Sequence, residues 1–162
     1  MRNPLRILVV AVTLLSSVAG LARATSSRGF SGEIAGTYLS TSADDALILQ
    51  LDRDGNMTVI FALQFLNLGV IGEDFSNSKG HWKRAGGRRI VANAVDIAFD
   101  QGMLIGVAAA RYVIDFDHHL RNARLNCTGG IFAPGVDPFS PDAEPLPDTE
   151  FACNEYLLER VP

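Results

Sequence analysis

The sequence predicts an all-β fold, an eight-stranded antiparallel up-and-down barrel that forms a single domain. From residue 32 onward, large apolar residues recur at every second position, the period of a strand with one buried face. Clusters of Gly, Asp, Asn and Ser separate these runs, and no amphipathic run of about ten residues or more indicates a helix between them. Consecutive strands without crossovers run antiparallel, and closing the sheet removes both exposed edges, so a barrel is favoured.

Eight strands are expected to follow one another in chain order. In the clearest hairpin, residues 47–51 and 57–63 flank the turn 52–56, whose Asp, Gly and Asn residues suit a positive φ. A second pair, 91–99 and 112–116, follows the same alternation. The expected strands are 33–40, 45–52, 56–65, 79–85, 89–99, 104–118, 121–132 and 150–160.

The alternation also predicts which side chains face the inside of the barrel. We expect the odd-numbered residues of 47–63 and 91–99, and the even-numbered residues of 112–116, to point inward because they include the large apolar side chains. Two polar residues, Asn93 and Glu155, then fall inside, where each needs a hydrogen-bonding partner from the protein or from a ligand. The expected cavity residues are Phe61, Leu63, Asn93, Val95, Ile97, Tyr112, Ile114 and Glu155.

The first 24 residues have the composition of a cleavable secretory signal peptide. Arg2 and Arg6 precede an apolar run at 7–15, and an Ala-Arg-Ala sequence at 22–24 supplies the small residues of a cleavage site. The apolar run is shorter than the roughly 20 residues that a permanent membrane helix needs. We therefore expect residues 25–162 to form one secreted or periplasmic domain that has no membrane partner.

The charge of the chain excludes one class of partner. The chain carries 14 basic and 18 acidic residues, and the predicted signal peptide holds three arginines and no acid, so its removal moves the net charge from −4 to −7. Nucleic-acid binding proteins present a basic surface to the phosphate backbone. We therefore expect no nucleic-acid partner. The oligomeric state leaves no signature in the sequence.

The two cysteines, Cys127 and Cys153, predict a disulfide bond. Pairing is favoured in an oxidising compartment, and two buried reduced thiols are the alternative. The bond would close a loop around the Pro-rich segment 133–149 and contribute about 3 to 4 kcal/mol on chain-entropy grounds. A second irregular segment, 65–76, is apolar and contains glycine, and we expect it either to cover one mouth of the barrel as a lid or to plug that end.

Three short features of the sequence occur together: Gly36-x-Tyr38 on the first strand, Gly80-x-Trp82 on a later one, and Arg160 near the carboxyl end. In these features the sequence resembles the lipocalins and the broader calycin barrels. In that family a Gly-x-Trp packs an aromatic ring at the closed end of the barrel, and an Arg of the last strand stacks across it. The resemblance implies structural roles for Gly36, Tyr38, Trp82 and Arg160, with Tyr38 in the place of the Trp. The overall layout also resembles uncharacterised bacterial exported proteins.

The sequence from Asp115 to His119 concentrates two carboxylates and two imidazoles near a strand end. Asp and His at alternate positions can reach one zinc or copper ion, but a polar turn has the same composition. We assign no metal and no cofactor. The sequence contains no nucleophile elbow, phosphate-cradling loop or dinucleotide fingerprint, so we assign no catalytic residue.

These observations predict an exported module that binds a small hydrophobic ligand inside the barrel. One alternative is a small barrel enzyme of the isomerase or cyclase type, in which Glu155, Asn93 and Tyr112 act as acid, base and oxyanion partner. Another is a periplasmic protein-interaction module such as a protease inhibitor. A lined cavity favours binding or catalysis, whereas a packed interior favours a surface interaction.

Overall fold

A computed structural model describes residues 29–41, 46–62, 74–153 and 155–162, so the predicted signal peptide lies outside the described residues. Within these ranges a short helix, α1 at residues 29–34, precedes ten strands. The strands are β1 Gly36–Thr41, β2 Ala46–Leu51, β3 Asn56–Phe61, β4 Asp74–Phe75, β5 Ser78–Gly86, β6 Arg89–Asp100, β7 Met103–Phe116, β8 Asn122–Phe132, β9 Phe151–Ala152 and β10 Tyr156–Arg160. None of the described helical structure is long and apolar enough to cross a bilayer.

The strands form one antiparallel sheet that closes into an eight-stranded barrel. Neighbouring strands pair in the order β1, β2, β3, β5, β6, β7, β8 and β10, and β10 pairs with both β8 and β1. The two-residue strands are additions to this ring, since β4 pairs with β6 and β9 pairs with β8. The all-β class and the closed antiparallel barrel predicted from the sequence are confirmed.

Inward-facing side chains of the strands form the main hydrophobic core. The side-chain directions predicted for residues 47–61 and 112–116 are confirmed, and Trp82 of β5 is also buried. Helix α1 adds apolar side chains at one end of the barrel, which we call the closed end. The largest buried core residues are Phe30, Ile34, Tyr38, Leu47, Leu49, Leu51, Met57, Val59, Phe61, Trp82, Ile90, Tyr112, Ile114, Phe116, Leu125 and Leu158.

The side-chain direction predicted for β6 is wrong by one residue. Ala92 and Ala94 are buried, whereas Asn93 is exposed and Ile97 is 46% exposed. Residues directly opposite each other in antiparallel strands share a face, and Ala92 lies opposite Tyr112 of β7, which is buried. Because apolar residues occupy both faces of β6, its own sequence fits either direction, and the partner strand decides.

The last predicted strand, 150–160, is two strands with a shift in register between them. Ala152 of β9 lies opposite Thr128, whereas Tyr156 of β10 lies opposite Leu125, one residue out of step. Without the shift Leu125 would face Glu155. The extra residue therefore moves the inward direction from odd to even positions, and Glu155 is exposed, contrary to the prediction that it points inside.

Arg160 of the last strand holds helix α1 on the closed end of the barrel. Its guanidinium donates from Nη1 to the carbonyl of Glu33 at 2.7 Å and from Nη2 to the carbonyl of Ala35 at 2.5 Å. The last carbonyls of a helix have no partner within the helix, so Arg160 satisfies these two across sequence separations of 127 and 125 residues. A Cβ atom on Gly36 would lie 2.9 Å from Nε of Arg160, so glycine permits this approach.

Tyr38 lies beside Arg160, as its partner in the register of β1 and β10, and is fully buried. Its hydroxyl donates to the carbonyl of Ile34 at 2.8 Å, and its ring meets that of Phe116 edge-on with centroids 5.6 Å apart. Burial raises the pKa of Tyr38, so the hydroxyl stays protonated and remains a donor. Tyr38 and Arg160 together satisfy three consecutive carbonyl groups at the end of α1.

Replacing Arg160 with alanine is expected to lower the free energy of unfolding by about 1 to 3 kcal/mol, because carbonyls at the end of α1 lose their hydrogen-bond donors. Urea unfolding of the wild type and the variant measures this difference. The matched control is Arg124→Ala, which removes an exposed arginine that contacts Glu155 at 3.4 Å, and we expect it to change stability by about 0.5 kcal/mol or less. Equal losses in the two variants would contradict a special role for Arg160.

Candidate ligand-binding cavity

The barrel contains a cavity of about 420 Å³ at the end opposite α1, which we call the open end. This volume falls within the range of pockets that hold small organic ligands. Strands β3, β6, β7, β8 and β10 contribute its walls, and the segment that precedes β9 contributes its rim. The lining residues are Phe61, Phe75, Asp96, Ala108, Ala109, Ala110, Tyr112, Cys127, Ile131, Asp148, Thr149, Glu150, Phe151, Ala152, Cys153 and Tyr156.

The cavity exists because small side chains on one wall face aromatic side chains on another. Ala108 and Ala110 are buried on the inward face of β7, and their small side chains leave space inside the barrel. Across the cavity, the ring of Phe61 meets those of Phe75 and Tyr156 with centroids 6.2 Å and 5.8 Å away. The interior is therefore packed with large aliphatic and aromatic residues at the closed end and hollow at the open end.

A carboxylate, Asp96, lies on the cavity wall and belongs to a small polar group. The buried Ser78 hydroxyl donates to Oδ2 of Asp96 at 2.7 Å, whereas the buried Oδ1 has no hydrogen-bond partner among the described residues. Burial raises the pKa of Asp96 to about 6, although the Ser78 hydrogen bond opposes the shift. Asp96 is therefore a carboxyl group that changes charge close to neutral pH.

Tyr112 completes this polar group on the same wall. Burial raises its pKa to about 12, which outweighs a hydrogen bond with Ser78 and adds to the effect of the Asp96 charge. The phenol therefore stays neutral at physiological pH. Asp96 and Tyr112 supply one ionisable carboxyl and one phenol hydroxyl to a cavity whose other walls are mostly apolar, and Ser78 donates to that carboxyl.

The rim of the cavity is fastened to β8 by a threonine and a disulfide bond. The Thr149 hydroxyl donates to the carbonyl of Leu146 at 2.7 Å and accepts from the N–H of Ile131 at 3.2 Å. The predicted bond between Cys127 and Cys153 is present, and the N–H of Cys153 donates to the carbonyl of Cys127 at 2.9 Å. These contacts place the acidic residues Asp148 and Glu150 at the cavity mouth. The disulfide is typical of proteins of an oxidising compartment.

Of the predicted cavity residues, the structure brings Phe61 and Tyr112 together at the cavity. Ile114 is buried in the packed core below it. Leu63 lies outside the described residues. Val95, on the same outward-facing side of β6 as Asn93, is half-buried.

Asn93 and Glu155 do not reach the cavity, so the constellation of Glu155, Asn93 and Tyr112 expected for a barrel enzyme is wrong. Asn93 lines a depression of about 450 Å³ on the outer wall, under the Pro-rich segment. Glu155 accepts from Nη1 of Arg124 at 3.4 Å on the surface. Both errors arise from strand register, which reverses side-chain direction when it changes by one residue.

Asp96 and Ser78 are the site residues that the sequence patterns missed. Asp96 is the one acidic residue between positions 90 and 99, an otherwise mostly apolar run. Read with the even-numbered residues inward, this pattern places a carboxylate on the buried face, which is a recognised signal of a functional site.

The histidine-containing segment forms a polar turn. Asp115 accepts two hydrogen bonds from Arg89, at 2.7 Å and 2.8 Å. Asp117 Oδ1 accepts from the N–H groups of His119 and Arg121, which stabilises the turn between β7 and β8. No group of three or more His, Cys, Asp or Glu residues in the described ranges is placed to hold a metal ion.

The expected lid, 65–76, falls largely outside the described residues. Its described part includes Phe75, which pairs with Ala98 of β6 and lines the cavity. The alternative between lid and plug therefore stays open for residues 65–73.

The chain matches no protein-family model, no curated protein and no solved structure. The closed eight-stranded antiparallel barrel is consistent with a calycin-like fold. The class of protein is thus defined by its architecture alone: it is a small antiparallel barrel with a packed closed end and a hollow open end.

Ionisation of Asp96 is expected to lower stability as the pH rises. The folded-state pKa of about 6 lies above the ordinary value of 3.8, so the stabilising contribution of the protonated group is complete below about pH 4 and is lost as the pH rises through 6. Asp96→Asn cannot ionise, so the stability of this variant relative to the wild type should increase by about 1 to 3 kcal/mol between pH 4 and pH 8.

Urea unfolding at the two pH values measures this relative change, and Asp142→Asn, an exposed loop carboxylate, is the control that should follow the wild type. If Asp96→Asn also follows the wild type at both pH values, the raised pKa of Asp96 is wrong.

Removing the disulfide with the double substitution Cys127→Ala and Cys153→Ala is expected to lower the free energy of unfolding by about 3 kcal/mol. The bond joins positions separated by 26 residues, and its loss increases the conformational entropy of the unfolded chain. Urea unfolding of the oxidised wild type, the reduced wild type and the double variant makes the comparison. The last two should agree, and equal stability of all three would show that the bond contributes nothing.

Proposed function

We propose that the chain is a secreted or periplasmic binding protein that holds a small, mainly apolar ligand in the cavity at the open end of its barrel. The observation that carries this proposal is the cavity itself, about 420 Å³ in volume with alanine and aromatic walls and few polar groups. A packed interior would instead favour a role for the outer surface. The signal-like first 24 residues and the disulfide support export.

The two ends of the barrel suit this function for different reasons. The closed end is filled by large side chains and held by Arg160 and Tyr38, so the walls are already in place before a ligand enters. A ligand that buries about 300 Å² of apolar surface gains about 7 kcal/mol from the hydrophobic effect. Because association itself costs several kcal/mol, a rigid and preformed site retains more of this gain as affinity.

A second candidate, an enzyme of the isomerase type, is favoured by the pair Asp96 and Tyr112. A carboxylate with a pKa of about 6 can take a proton from a carbon next to a carbonyl group and return it to another carbon, while a neutral phenol donates to the carbonyl oxygen. This activity would exchange ligand hydrogens with deuterated water. Exchange that persists in Asp96→Asn would exclude Asp96 as the base.

The neutral fluorescent probe N-phenyl-1-naphthylamine is expected to bind the wild type saturably, with a rise in its emission. Ala110→Phe should abolish this binding, because Ala110 points into the cavity and a phenyl ring would occupy the space. Overpacking of this kind costs about 1 to 3 kcal/mol of stability, so circular dichroism should confirm the fold of the variant.

The control is Ala85→Phe, which adds the same ring at an exposed position of β5 and should leave probe binding unchanged. A folded Ala110→Phe protein that binds the probe as the wild type does would show that the cavity is not the binding site.

A further inference from the structure

The charged groups around the cavity all have one sign. Within the described part of the chain, the charged side chains that line it are Asp96 on the wall and Asp148 and Glu150 at the rim, and no Lys, Arg or His lines it. The described ion pairs join Arg89 to Asp115 and Arg124 to Glu155, both outside the cavity. The charge that the described residues place around this space is therefore all negative.

Asp96 lacks the partners that a buried carboxylate normally has. Ser78 donates one hydrogen bond to Oδ2, and Oδ1 has none from the described residues. An ionised group in an apolar site is unfavourable unless a counter-charge or further donors accompany it. A ligand that brings a positively charged N–H group into the cavity would supply the missing counter-charge.

The aromatic walls suit the same kind of ligand. Phe61, Phe75, Tyr112 and Tyr156 line the cavity, and the faces of aromatic rings attract cations. The phenol of Tyr112 remains neutral, so it adds no negative charge of its own. A carboxylate ligand such as a fatty acid would instead meet Asp96 and two rim carboxylates without a basic residue to pair with.

We infer that the cavity selects a protonated amine carried on a compact apolar body, with its nitrogen paired to the Asp96 carboxylate; this inference rests on the binding function proposed above. The apolar body occupies the space between the alanines of β7 and the rings of Phe61 and Tyr156. The ammonium group lies toward Asp96, where Coulomb attraction is weakly screened by solvent. Asp96 thus sets the preference for the amine over a neutral ligand, whereas the exposed carboxylates of the rim act mainly against anions.

Three probes with one naphthalene body and different head groups test this inference: 1-naphthylmethylamine, 1-naphthalenemethanol and 1-naphthoic acid. Calorimetric titration of the wild type at about pH 8, where Asp96 is ionised, measures their affinities. We expect the amine to bind at least about tenfold more tightly than the alcohol. We expect the acid to bind at least about tenfold more weakly than the alcohol.

Asp96→Asn is the decisive variant, because it keeps the shape of the side chain and removes its charge. We expect the amine to bind this variant about as the alcohol does, with the alcohol affinity changed by about twofold or less. Asp142→Asn removes an equal charge from an exposed loop outside the cavity and should leave all three affinities as they are. The wild-type comparison needs no variant, so a folding defect in Asp96→Asn would not prevent the test.

The outcomes separate this inference from the proposal on which it rests. If the alcohol binds but the amine is no tighter, or the acid binds as well as the amine, the amine selectivity is wrong and the apolar binding function stands. If amine preference survives in Asp96→Asn, the pairing with Asp96 is wrong. If none of the three probes nor N-phenyl-1-naphthylamine binds, the binding function itself is wrong.

Discussion

The structure depends on the insertion of the last strand between β8 and β1. This pairing leaves the barrel without an open edge and encloses one face of every strand, which is where the hydrophobic core forms. Arg160 extends the closure to the helix, since it connects the final strand to the carbonyls that end α1. The strand that closes the ring therefore also carries the residue that holds the cover of the closed end.

The two ends of the barrel have different packing, and this difference creates the site. At the closed end, residues such as Leu49, Ile90 and Ile114 fill the space between opposite walls. At the open end, the alanines of β7 do not reach across, and the rim is fastened by the disulfide and by Thr149. A rigid scaffold with a preformed hollow is the arrangement in which ligand contacts are least diminished by ordering of the protein.

Asp96 places a carboxylate on the otherwise apolar inward face of β6, where it lowers the stability of the fold. An apolar residue at this position would pack against the same alanines without the free-energy penalty of a buried charge. Local departures of this kind concentrate at functional sites, because the protein as a whole supplies the stability that the site lacks. In this molecule the hydrophobic core and the disulfide supply the stability that offsets the penalty of burying Asp96.

The sequence by itself determined the strand pattern, the barrel class, the pairing of Cys127 with Cys153 and the inward side chains of β2, β3 and β7. These features follow from local turn chemistry and from alternation with one clearly apolar face. Tertiary structure decided which side chains of β6 face inward, because this depends on the register with β7. It also decided that Glu155 is exposed, because a one-residue shift in the pairing with β8 precedes β10. The register of a sheet pairs residues that are distant in the chain, so a strand that is apolar on both faces does not specify its own register. The pairing with β7 therefore decided that Asp96 lies on the wall of the cavity.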